Sequence, residues 1–397
     1  MIIAGGAYRE TCAHPRWRRL FGSGVRAATA VARLSPGSEL HTYVARGWTN
    51  DLRLSAAASG FELVGTPSFT QIEFEYLHPL RMLRSYPPEI RPQPSIQCAG
   101  DVVLRFGFME GDAVVRARRA IYDPQTGSIP QPFSKNGSKA EEVAVVLNAN
   151  EASAATGELE PRQAAEALIR KWRVQIVVIK GGTEGALVVD ESGGFARVPA
   201  FLTKRVFKIG SGDIFSAIFA YCWGELAQSP VAAARAASAA VADYVENRSL
   251  PFFRLPDARD RQQVGRSGRT KRVYLAAPFF TLAERWMVEE ARYILESFGA
   301  EVFSPLHDVG FHPDCVRIAD GDLQGIVDCD VVLALIDGSD PGTIFEIGYA
   351  RALDPPRPVI ALGERTNPLD LTMLSGSSCT VYDDFTSAIY ATMWQPI

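Results

Sequence analysis

The clearest pattern in the chain lies in residues 331–350, which read Val331-Val-Leu-Ala-Leu-Ile336, Asp337-Gly-Ser-Asp340 and Pro341-Gly-Thr-Ile-Phe-Glu-Ile-Gly-Tyr-Ala350. The six apolar residues predict a buried strand, and residues 344–353 have the spacing of a helix. A continuous apolar strand is typical of a parallel sheet that is covered on both faces. Ligands of such sheets bind beyond the carboxyl ends of the strands, so the acidic connection is a candidate site.

Strands and helices alternate through the rest of the C-terminal third. The predicted strands are residues 273–277, 301–304, 358–362 and 380–382, and the predicted helices are 282–298 and 320–327. In helix 282–298 the apolar residues Met287, Ala291, Ile294, Leu295 and Phe298 share one face. Alternation of this kind predicts an α/β unit with a doubly wound parallel sheet.

The N-terminal part of the chain also has α/β character. Residues 174–179 and 186–189 are predicted strands, and residues 212–226 and 232–244 are predicted helices. Residues 66–100, rich in Pro, Tyr and Arg, receive no assignment. Residues 254–270 are polar, mostly charged and without an apolar period, which favours a linker over a surface loop within one domain. We therefore predict domains at 1–253 and 271–397.

Composition excludes several classes of protein. A net charge of −4 gives no electrostatic reason to expect nucleic acid or an anionic membrane as partner. The N-terminus lacks the pattern of a signal peptide, and the apolar runs are too short to cross a bilayer. Six scattered cysteines without a C-x-x-C pair argue against a zinc finger or a disulfide scaffold. We expect a cytoplasmic protein.

Acidic residues are concentrated around the strand 331–336. Asp337, Asp340 and Glu346 follow it, and Asp322 precedes it. Thr343-x-x-Glu346 also fits a helix capping box, which would give Glu346 a purely structural role. Crowded carboxyl groups, however, raise one another's pKa values, and such clusters are candidates for function.

Two carboxyl groups of this kind suit cleavage of an N-glycosidic bond. One, ionised, attacks the anomeric carbon, and the other, protonated, donates to the leaving group. We expect the helix N-terminus to favour the anionic form of Glu346, and Gly342 and Gly348 to allow close approach of a ligand. Phe279 and Phe280 are either core aromatics or a surface on which a base stacks.

These residues carry a resemblance. Tyr274-Leu-Ala-Ala-Pro-Phe-Phe280, the run around Asp322 and Asp340-Pro-Gly-Thr-Ile-Phe-Glu346 resemble the nucleoside 2-deoxyribosyltransferase family over residues 272–385. The resemblance implies a flavodoxin-like (Rossmann-type) sheet and Glu346 as the nucleophile. It further implies that Asp322 and Asp340 bind and protonate the base, and that Tyr274 orients the nucleophile.

The same resemblance bears on the substrate and the assembly. Residues Asn367-Pro-Leu-Asp-Leu-Thr-Met373 match the sugar-binding segment of the family loosely, which makes Asn367, Asp370 and Met373 candidates for binding the sugar. Together with Asp337, Phe279, Phe280 and Gly342 they complete the expected substrate site. The resemblance implies nucleosides and nucleobases as ligands, a homo-oligomer with shared sites, and no cofactor for this domain.

A second motif, Gly210-Ser-Gly-Asp213, precedes a predicted helix. Such a motif is either a turn with an Asp cap or an anion hole, in which free N–H groups bind a phosphate. In the second interpretation Asp213 is placed to take a proton from an attacking hydroxyl.

The motif is accompanied by Asn148-Ala-Asn-Glu151, Lys180-Gly-Gly-Thr-Glu-Gly185 and an early Gly22-Ser-Gly. Together they resemble the ribokinase-like (PfkB) carbohydrate kinase family over residues 1–250, with its α/β sandwich. The resemblance implies that Asn148 and Glu151 organise Mg²⁺ and phosphate, with Glu151 acting indirectly. It implies that Gly210, Ser211, Gly212 and Asp213 supply the anion hole and base. It places ATP over Lys180, Gly182 and Gly185.

Two departures from that family bear on function. Phe207-Lys208 replaces the usual Asp-Thr, and Arg9-Glu10 stands near the position of the sugar-binding Asp. The sequence therefore favours an enzyme of nucleoside metabolism that transfers a 2-deoxyribosyl group between bases, joined to an ATP-dependent sugar or nucleoside kinase. The alternatives are a nucleoside or nucleotide hydrolase and, for the kinase-like domain, a degenerate nucleotide-binding or regulatory module.

Overall fold

The computed structural model describes residues 1–125, 129–265 and 268–396. The chain divides into two compact units. Unit 1 comprises Met1–Thr203 and Phe207–Gln263, and unit 2 comprises Lys204–Val206 and Val264–Ile397. Within the described part of the chain, no helix combines the length and apolarity that a membrane span requires.

Unit 1 contains six α-helices and thirteen strands among the described residues. The strands are β1 Ile2–Ala4, β2 Arg9–Cys12, β3 Trp17–Leu20, β4 Glu39–Ala45, β5 Glu62–Ser68, β6 Glu73–Tyr76, β7 Arg84–Tyr86, β8 Ile96–Phe106, β9 Ala113–Asp123, β10 Lys139–Asn148, β11 Ile176–Lys180, β12 Ala186–Asp190 and β13 Phe195–Val198. The helices are α1 Gly22–Val31, α2 Thr49–Ser59, α3 Ala149–Thr156, α4 Pro161–Trp172, α5 Ser211–Phe219 and α6 Pro230–Asn247.

The main sheet of unit 1 has nine strands in the order β13-β12-β11-β10-β9-β8-β1-β4-β5. Its pairs are parallel from β11 to β5, and β12 runs antiparallel to both of its neighbours. A second sheet, β3-β2-β6-β7, contains part of the segment that received no assignment from sequence. Buried alanines of α3 and α4 pack on the valines of the main sheet, which confirms the predicted α/β class.

The predicted helix at 212–226 is an α-helix only as far as Phe219. Residues Ala220–Glu225 continue as a π-helix.

The predicted linker contains a short 3₁₀ helix, Ala258–Asp260, and Arg261 forms an ion pair with Asp243 of α6 at 2.7 Å. Residues 266 and 267 of the predicted linker lie outside the described residues.

Unit 2 is a single parallel sheet with helices. Its strands are β14 Arg272–Ala276, β15 Glu301–Phe303, β16 Val331–Leu335, β17 Val359–Leu362 and β18 Thr380–Tyr382. Its helices are α7 Leu282–Ser297, α8 Cys315–Asp328, α9 Pro341–Ala352, α10 Thr372–Gly376 and α11 Phe385–Trp394.

The order β15-β14-β16-β17-β18, with all four pairs parallel, confirms the flavodoxin-like sheet that the sequence predicted. In this order β15 lies on one side of β14, and β16 and the later strands lie on the other side. The crevice of such a sheet lies where the order switches, at the carboxyl ends of β14 and β16. Tyr274 lies in β14, and the connection from β16 to α9 carries the acidic residues.

Candidate active site

The centre of the site is a contact between Tyr274 and Glu346. The Tyr274 hydroxyl donates a hydrogen bond to Glu346 Oε1 at 2.8 Å. Tyr274 is fully buried, and its ring stacks on Phe303 with centroids 5.4 Å apart. The ring is therefore fixed by packing, and it holds the half-buried carboxyl group of α9 in one orientation.

Two further carboxyl groups act on Glu346. Burial raises the pKa of Glu346 to about 7, the Tyr274 hydrogen bond opposes the shift, and the charges of Asp322 and Asp340 add to it. Burial also raises the pKa of Asp322, to about 6. Asp322 Oδ1 is buried and has no hydrogen-bond partner among the described residues. The site therefore pairs two carboxyl groups that both titrate near neutral pH.

The structure corrects two expectations about Glu346. The capping-box interpretation is wrong, because the cap of α9 is Asp340, whose Oδ2 accepts from Thr343 N at 2.8 Å. The helix also does not favour the anion. Glu346 is the sixth residue of α9, beyond the first turn in which the dipole acts, and burial dominates its pKa.

The cap gives Asp340 a structural role that can be separated from its charge. Asparagine caps helices about as well as aspartate, whereas loss of a cap costs about 1 kcal/mol. We expect Asp340→Ala to lower the free energy of unfolding by about that amount and Asp340→Asn to leave it nearly unchanged. Both substitutions remove a charge that raises the pKa of Glu346, so both should lower that pKa. Urea denaturation and a pH–activity profile measure the two effects, and equal destabilisation by both substitutions would contradict the capping role.

Aromatic side chains follow β14 at the end of the strand. Phe279 and Phe280 stack with ring centroids 5.3 Å apart, and Phe311 meets Phe279 edge to face at 5.7 Å. Phe280 and Phe311 are each 69% exposed. A side chain this exposed is not part of a core, so the core interpretation is excluded for Phe280 and the base-stacking interpretation is left.

Asp337 and the two glycines have different surroundings. Asp337 accepts hydrogen bonds from the backbone N–H groups of Glu364 and Arg365 at 3.2 and 2.8 Å, so it fixes the connection after β17. A Cβ atom on Gly342 would lie 3.1 Å from Asp340 Oδ2, and one on Gly348 would meet nothing within 4 Å. Open space beside Gly348 is compatible with an approaching ligand.

The loosely matching segment lies after β17. Asn367 caps the 3₁₀ helix Pro368–Leu371 by accepting from Leu369 N at 3.1 Å, and Met373 of α10 is 78% exposed. The side chain of Asp370 lies outside the described part of the structure. The role of this segment in binding the sugar stays a prediction.

In unit 1 two lysine side chains, one of them the predicted phosphate-binding Lys180, lie at the start of α5. A Cβ atom on Gly212 would lie 3.4 Å from Lys180 Nζ, and Lys208 Nζ donates to Ser211 Oγ at 2.7 Å. Lys180 also pairs with buried Asp123 at 2.7 Å. Burial and the nearby charge of Lys180 lower the pKa of Lys208 to about 8. This positive edge suits a phosphate group.

The residues that the resemblance assigns to Mg²⁺ are engaged with each other. Asn148 Oδ1 accepts from Glu151 N at 2.9 Å, and Glu151 Oε2 accepts from Asn148 N at 2.8 Å. This capping box starts α3. Within the described ranges, His, Cys, Asp and Glu side chains form no group of three that could hold a metal ion. The assignment of Asn148 and Glu151 to Mg²⁺ and phosphate stays a prediction.

Some residues of both sites were missed by sequence reasoning. They are Phe303 and Phe311 in unit 2, and Arg26, Asp123 and Gln125 in unit 1. Asp123 ends β9, and a strand end is a signal that could have identified it. Arg26 lies among small residues of α1, and its partners are remote in sequence, so the motif gave no sign of its role.

Two family models match the chain. Residues 139–250 match the pfkB family of carbohydrate kinases, and residues 273–385 match the nucleoside 2-deoxyribosyltransferase family. The chain therefore carries a pfkB family carbohydrate kinase domain followed by a nucleoside 2-deoxyribosyltransferase domain. Both predicted resemblances are confirmed.

Solved structures of the ribokinase family are similar to part of the chain. Ribokinase from Thermotoga maritima has 17% identity and a TM-score of 0.45, covering 66% of this chain and 95% of that chain. Aminoimidazole riboside kinase from Salmonella enterica has 15% identity and a TM-score of 0.46, with coverage of 64% and 97%. A pyrophosphate-dependent kinase complexed with a pyrophosphate analog and myo-inositol has 16% identity and a TM-score of 0.44, with coverage of 66% and 98%. No curated protein matches the chain significantly.

Proposed function

We propose that unit 2 cleaves the N-glycosidic bond of 2-deoxynucleosides through Glu346 and transfers the 2-deoxyribosyl group to a second base. The observation that carries this proposal is the Glu346 carboxyl group, held by the Tyr274 hydroxyl at 2.8 Å beside the carboxyl group of Asp322. One carboxylate and one carboxylic acid are what a double displacement at an anomeric carbon requires.

In the first step the Glu346 carboxylate attacks C1′ of the deoxyribose, and the bond from C1′ to the base nitrogen breaks. Protonated Asp322 gives its proton to the departing base. In the second step a nitrogen of the incoming base attacks C1′, the bond from C1′ to the Glu346 oxygen breaks, and Asp322 takes up the proton that the incoming base loses. The enzyme returns to its starting state.

We assign proton donation to Asp322 rather than to Asp340. Asp322 Oδ1 is buried without a partner among the described residues, and its raised pKa keeps part of the group protonated near pH 6. Asp340 Oδ2 instead accepts from both Thr343 N and Thr343 Oγ1, at 2.8 and 3.0 Å. Asp340 is left to bind the base and to repel the charge on Glu346.

Base exchange tests the proposal directly. The full-length protein is incubated with deoxyinosine and adenine, and products are separated by liquid chromatography. We expect deoxyadenosine and hypoxanthine. Free deoxyribose in place of deoxyadenosine would identify water as the acceptor and replace transfer by hydrolysis. Absence of both base exchange and base release, across several deoxynucleosides and their monophosphates, would contradict the proposal.

Tyr274 has a positioning role that a single substitution isolates. Tyr274→Phe keeps the ring and its packing but removes the hydroxyl group that lowers the pKa of Glu346. Because the higher pKa of the pair belongs to Glu346, we expect the alkaline limb of the pH–activity profile to move to higher pH. We expect kcat to fall roughly 10-fold, the scale of one hydrogen bond to a charged group. Tyr293→Phe, at an exposed position of α7, is the matched control. An unmoved alkaline limb would show that the hydroxyl does not act on Glu346.

We further propose that the protein is a homo-oligomer. Unit 2 exposes large apolar side chains on several elements, namely Leu282 at 86%, Val316 at 66%, Phe345 at 64%, Leu369 at 79% and Met373 at 78%. A second copy that covered these side chains would remove their apolar surface from water, which favours association. Light scattering coupled to gel filtration measures the mass in solution, and a monomer at micromolar concentration would contradict the proposal.

A further inference from the structure

Arg26 of α1 lies between two acidic side chains of unit 1. Its Nη1 donates to Asp213 Oδ2 at 2.5 Å, and its Nη2 donates to a carboxyl oxygen of Glu10. The guanidinium is 1% exposed and lies over the Phe21 ring at 5.1 Å. The group is therefore a fixed, buried bridge between Glu10 and Asp213.

Asp213 is bound through both of its carboxyl oxygens. Oδ2 accepts from Arg26, and Oδ1 accepts from Gln125 Nε2 at 2.6 Å. A base that takes a proton from a hydroxyl must direct an oxygen at that hydroxyl, within hydrogen-bond distance. In this arrangement the unit's own side chains occupy both oxygens.

The Arg26 side chain also fills space at the start of α5. Gly210 has φ of +80°, and a Cβ atom built on it would lie 2.1 Å from Arg26 Nε. Arg26 is thus in direct contact with the Gly210–Asp213 turn, on the side of Asp213. Lys180 and Lys208 lie at the same turn but bond to Asp123 and Ser211, so the positive edge that suits a phosphate does not depend on Arg26.

We propose that Arg26 occupies the acceptor position of unit 1, so that this unit binds a nucleoside triphosphate without passing its terminal phosphoryl group to a hydroxyl. The proposal rests on the sequence-based assignment of Asp213 as the base and of the Gly210–Asp213 turn as the phosphate site. It is independent of the glycosidic chemistry proposed for unit 2.

Arg26 prevents one defined step, the transfer of the phosphoryl group to an acceptor hydroxyl. In transfer, an acceptor oxygen attacks the γ-phosphorus, the bond from that phosphorus to the β,γ-bridging oxygen breaks, and the acceptor proton moves to Asp213 as the diphosphate leaves. Protonation of Asp213 would break a buried ion pair. The cost of leaving a buried charge without its partner corresponds to a rate lower by roughly 100-fold or more.

The experiment measures phosphoryl transfer by the full-length protein. ATP with Mg²⁺ is offered with a panel of sugars and nucleosides, and ADP and phosphorylated products are quantified. ATP binding is measured separately by calorimetry. Two variants, called release variants below, free the Asp213 carboxyl group from Arg26. Glu10→Gln combined with Arg26→Met removes one charge of each sign. Arg26→Lys keeps a buried cation but loses the guanidinium fork that reaches two carboxyl groups. Circular dichroism identifies the variants that keep the native fold.

We expect the wild-type protein to bind ATP and to form no phosphorylated product. In a folded release variant, ADP formation should rise at least about 10-fold, with a hydroxyl compound or water as acceptor, and should be lost again on Asp213→Asn. Phosphorylation of a sugar or nucleoside by the wild-type protein would overturn the proposal. So would a wild-type protein that does not bind ATP, or folded release variants that gain no Asp213-dependent turnover.

Discussion

Replacing Glu346 by glutamine is expected to lower the rates of base release and base exchange by about 10³- to 10⁵-fold, the range seen when a catalytic nucleophile is removed. Glutamine has nearly the same shape and can still accept a hydrogen bond from the Tyr274 hydroxyl, so packing is retained. It cannot form the ester to C1′ that the double displacement needs. Initial rates with deoxyinosine and adenine measure the loss.

The same substitution should stabilise the protein. The pKa of Glu346 is about 7 in the folded chain, against an ordinary value of 4.5, so the folded state disfavours the anion. The resulting penalty is absent below about pH 4.5, grows as pH rises towards 7 and is complete above it. Glu346→Gln removes this penalty, and we expect roughly 2 kcal/mol of added stability at pH 8. A higher melting temperature at pH 8 but not at pH 4.5 would separate loss of chemistry from loss of fold.

Glu296→Gln is the matched control, because Glu296 lies on the surface of α7 and pairs only across one helical turn with Arg292. Such exposed pairs contribute little to stability. We expect this control to keep its activity and its melting temperature. A Glu346→Gln variant with more than about a tenth of the wild-type rate would contradict the role of Glu346 as nucleophile.

Replacing Asp322 by asparagine is the second large effect, with an expected loss of about 10²- to 10⁴-fold in kcat, the range for a general acid. The wild-type pair titrates with pKa values of about 6 and about 7. Below this range both groups are protonated and no nucleophile exists, and above it both are ionised and no acid exists. The wild-type profile of kcat/KM should therefore be a narrow bell centred between pH 6 and 7.

Asp322→Asn changes both limbs of that bell in a specific way. The alkaline limb should disappear, because no acid remains to lose its proton. The one remaining limb then reports Glu346 alone, whose pKa should lie below its wild-type value of about 7, because the negative charge of Asp322 no longer raises it. An already cationic base, as in 7-methyl-2′-deoxyguanosine, leaves without protonation, so this substrate should recover most of the lost rate. Asp328→Asn, at an exposed position of the same helix, is the control. Equal losses with neutral and cationic bases would contradict the role of Asp322 as acid.

The two pKa values also determine how much of the protein holds the productive arrangement of protons. With the higher pKa on Glu346, most singly protonated molecules hold the proton on the nucleophile, and a difference of about one pKa unit leaves roughly one-tenth in the productive form. Both forms carry the same number of protons, so the bell keeps its position and only its height is lowered. A bound nucleoside that accepts a hydrogen bond from Asp322 would favour the productive form.

Local pattern was sufficient for the sheet of unit 2. Its central strands β14, β16 and β17 contain continuous apolar runs, and the order of strands and helices allowed few topologies. Helix starts were less well predicted. The helix predicted from residue 344 begins at Pro341, because Asp340 caps it and proline is well suited to a first helical position. The helix predicted from residue 320 begins at Cys315, because Asp314 caps it, and its first turn is exposed and presents no buried face to mark the start.

The acidic connection of unit 2 was predictable as a site because it follows β16 at the carboxyl edge of the sheet, whereas Asp322 and Glu346 lie inside α8 and α9 and their roles came from the family resemblance. The protonation of Glu346 was not predictable, since burial dominates its pKa and burial is a property of the assembled fold. The unassigned segment 66–100 contains short strands of a small second sheet, such as Glu73–Tyr76, whose four alternating residues are too few to separate a strand from a loop. The bridge from Glu10 through Arg26 to Asp213 includes a contact between Arg26 and Asp213, which are 187 positions apart, and no local pattern encodes such a contact.

Trapping of the reaction intermediate tests the role of Glu346 most directly. A 2-deoxy-2-fluoroarabinosyl nucleoside slows both displacement steps, because fluorine destabilises the oxocarbenium-like transition state. After reaction with the full-length protein and proteolysis, mass spectrometry should find the fluorosugar esterified to Glu346 and find no adduct on the Glu346→Gln variant. Base release by the wild-type protein with the sugar attached to another residue, or with no covalent adduct at any stage, would contradict the account.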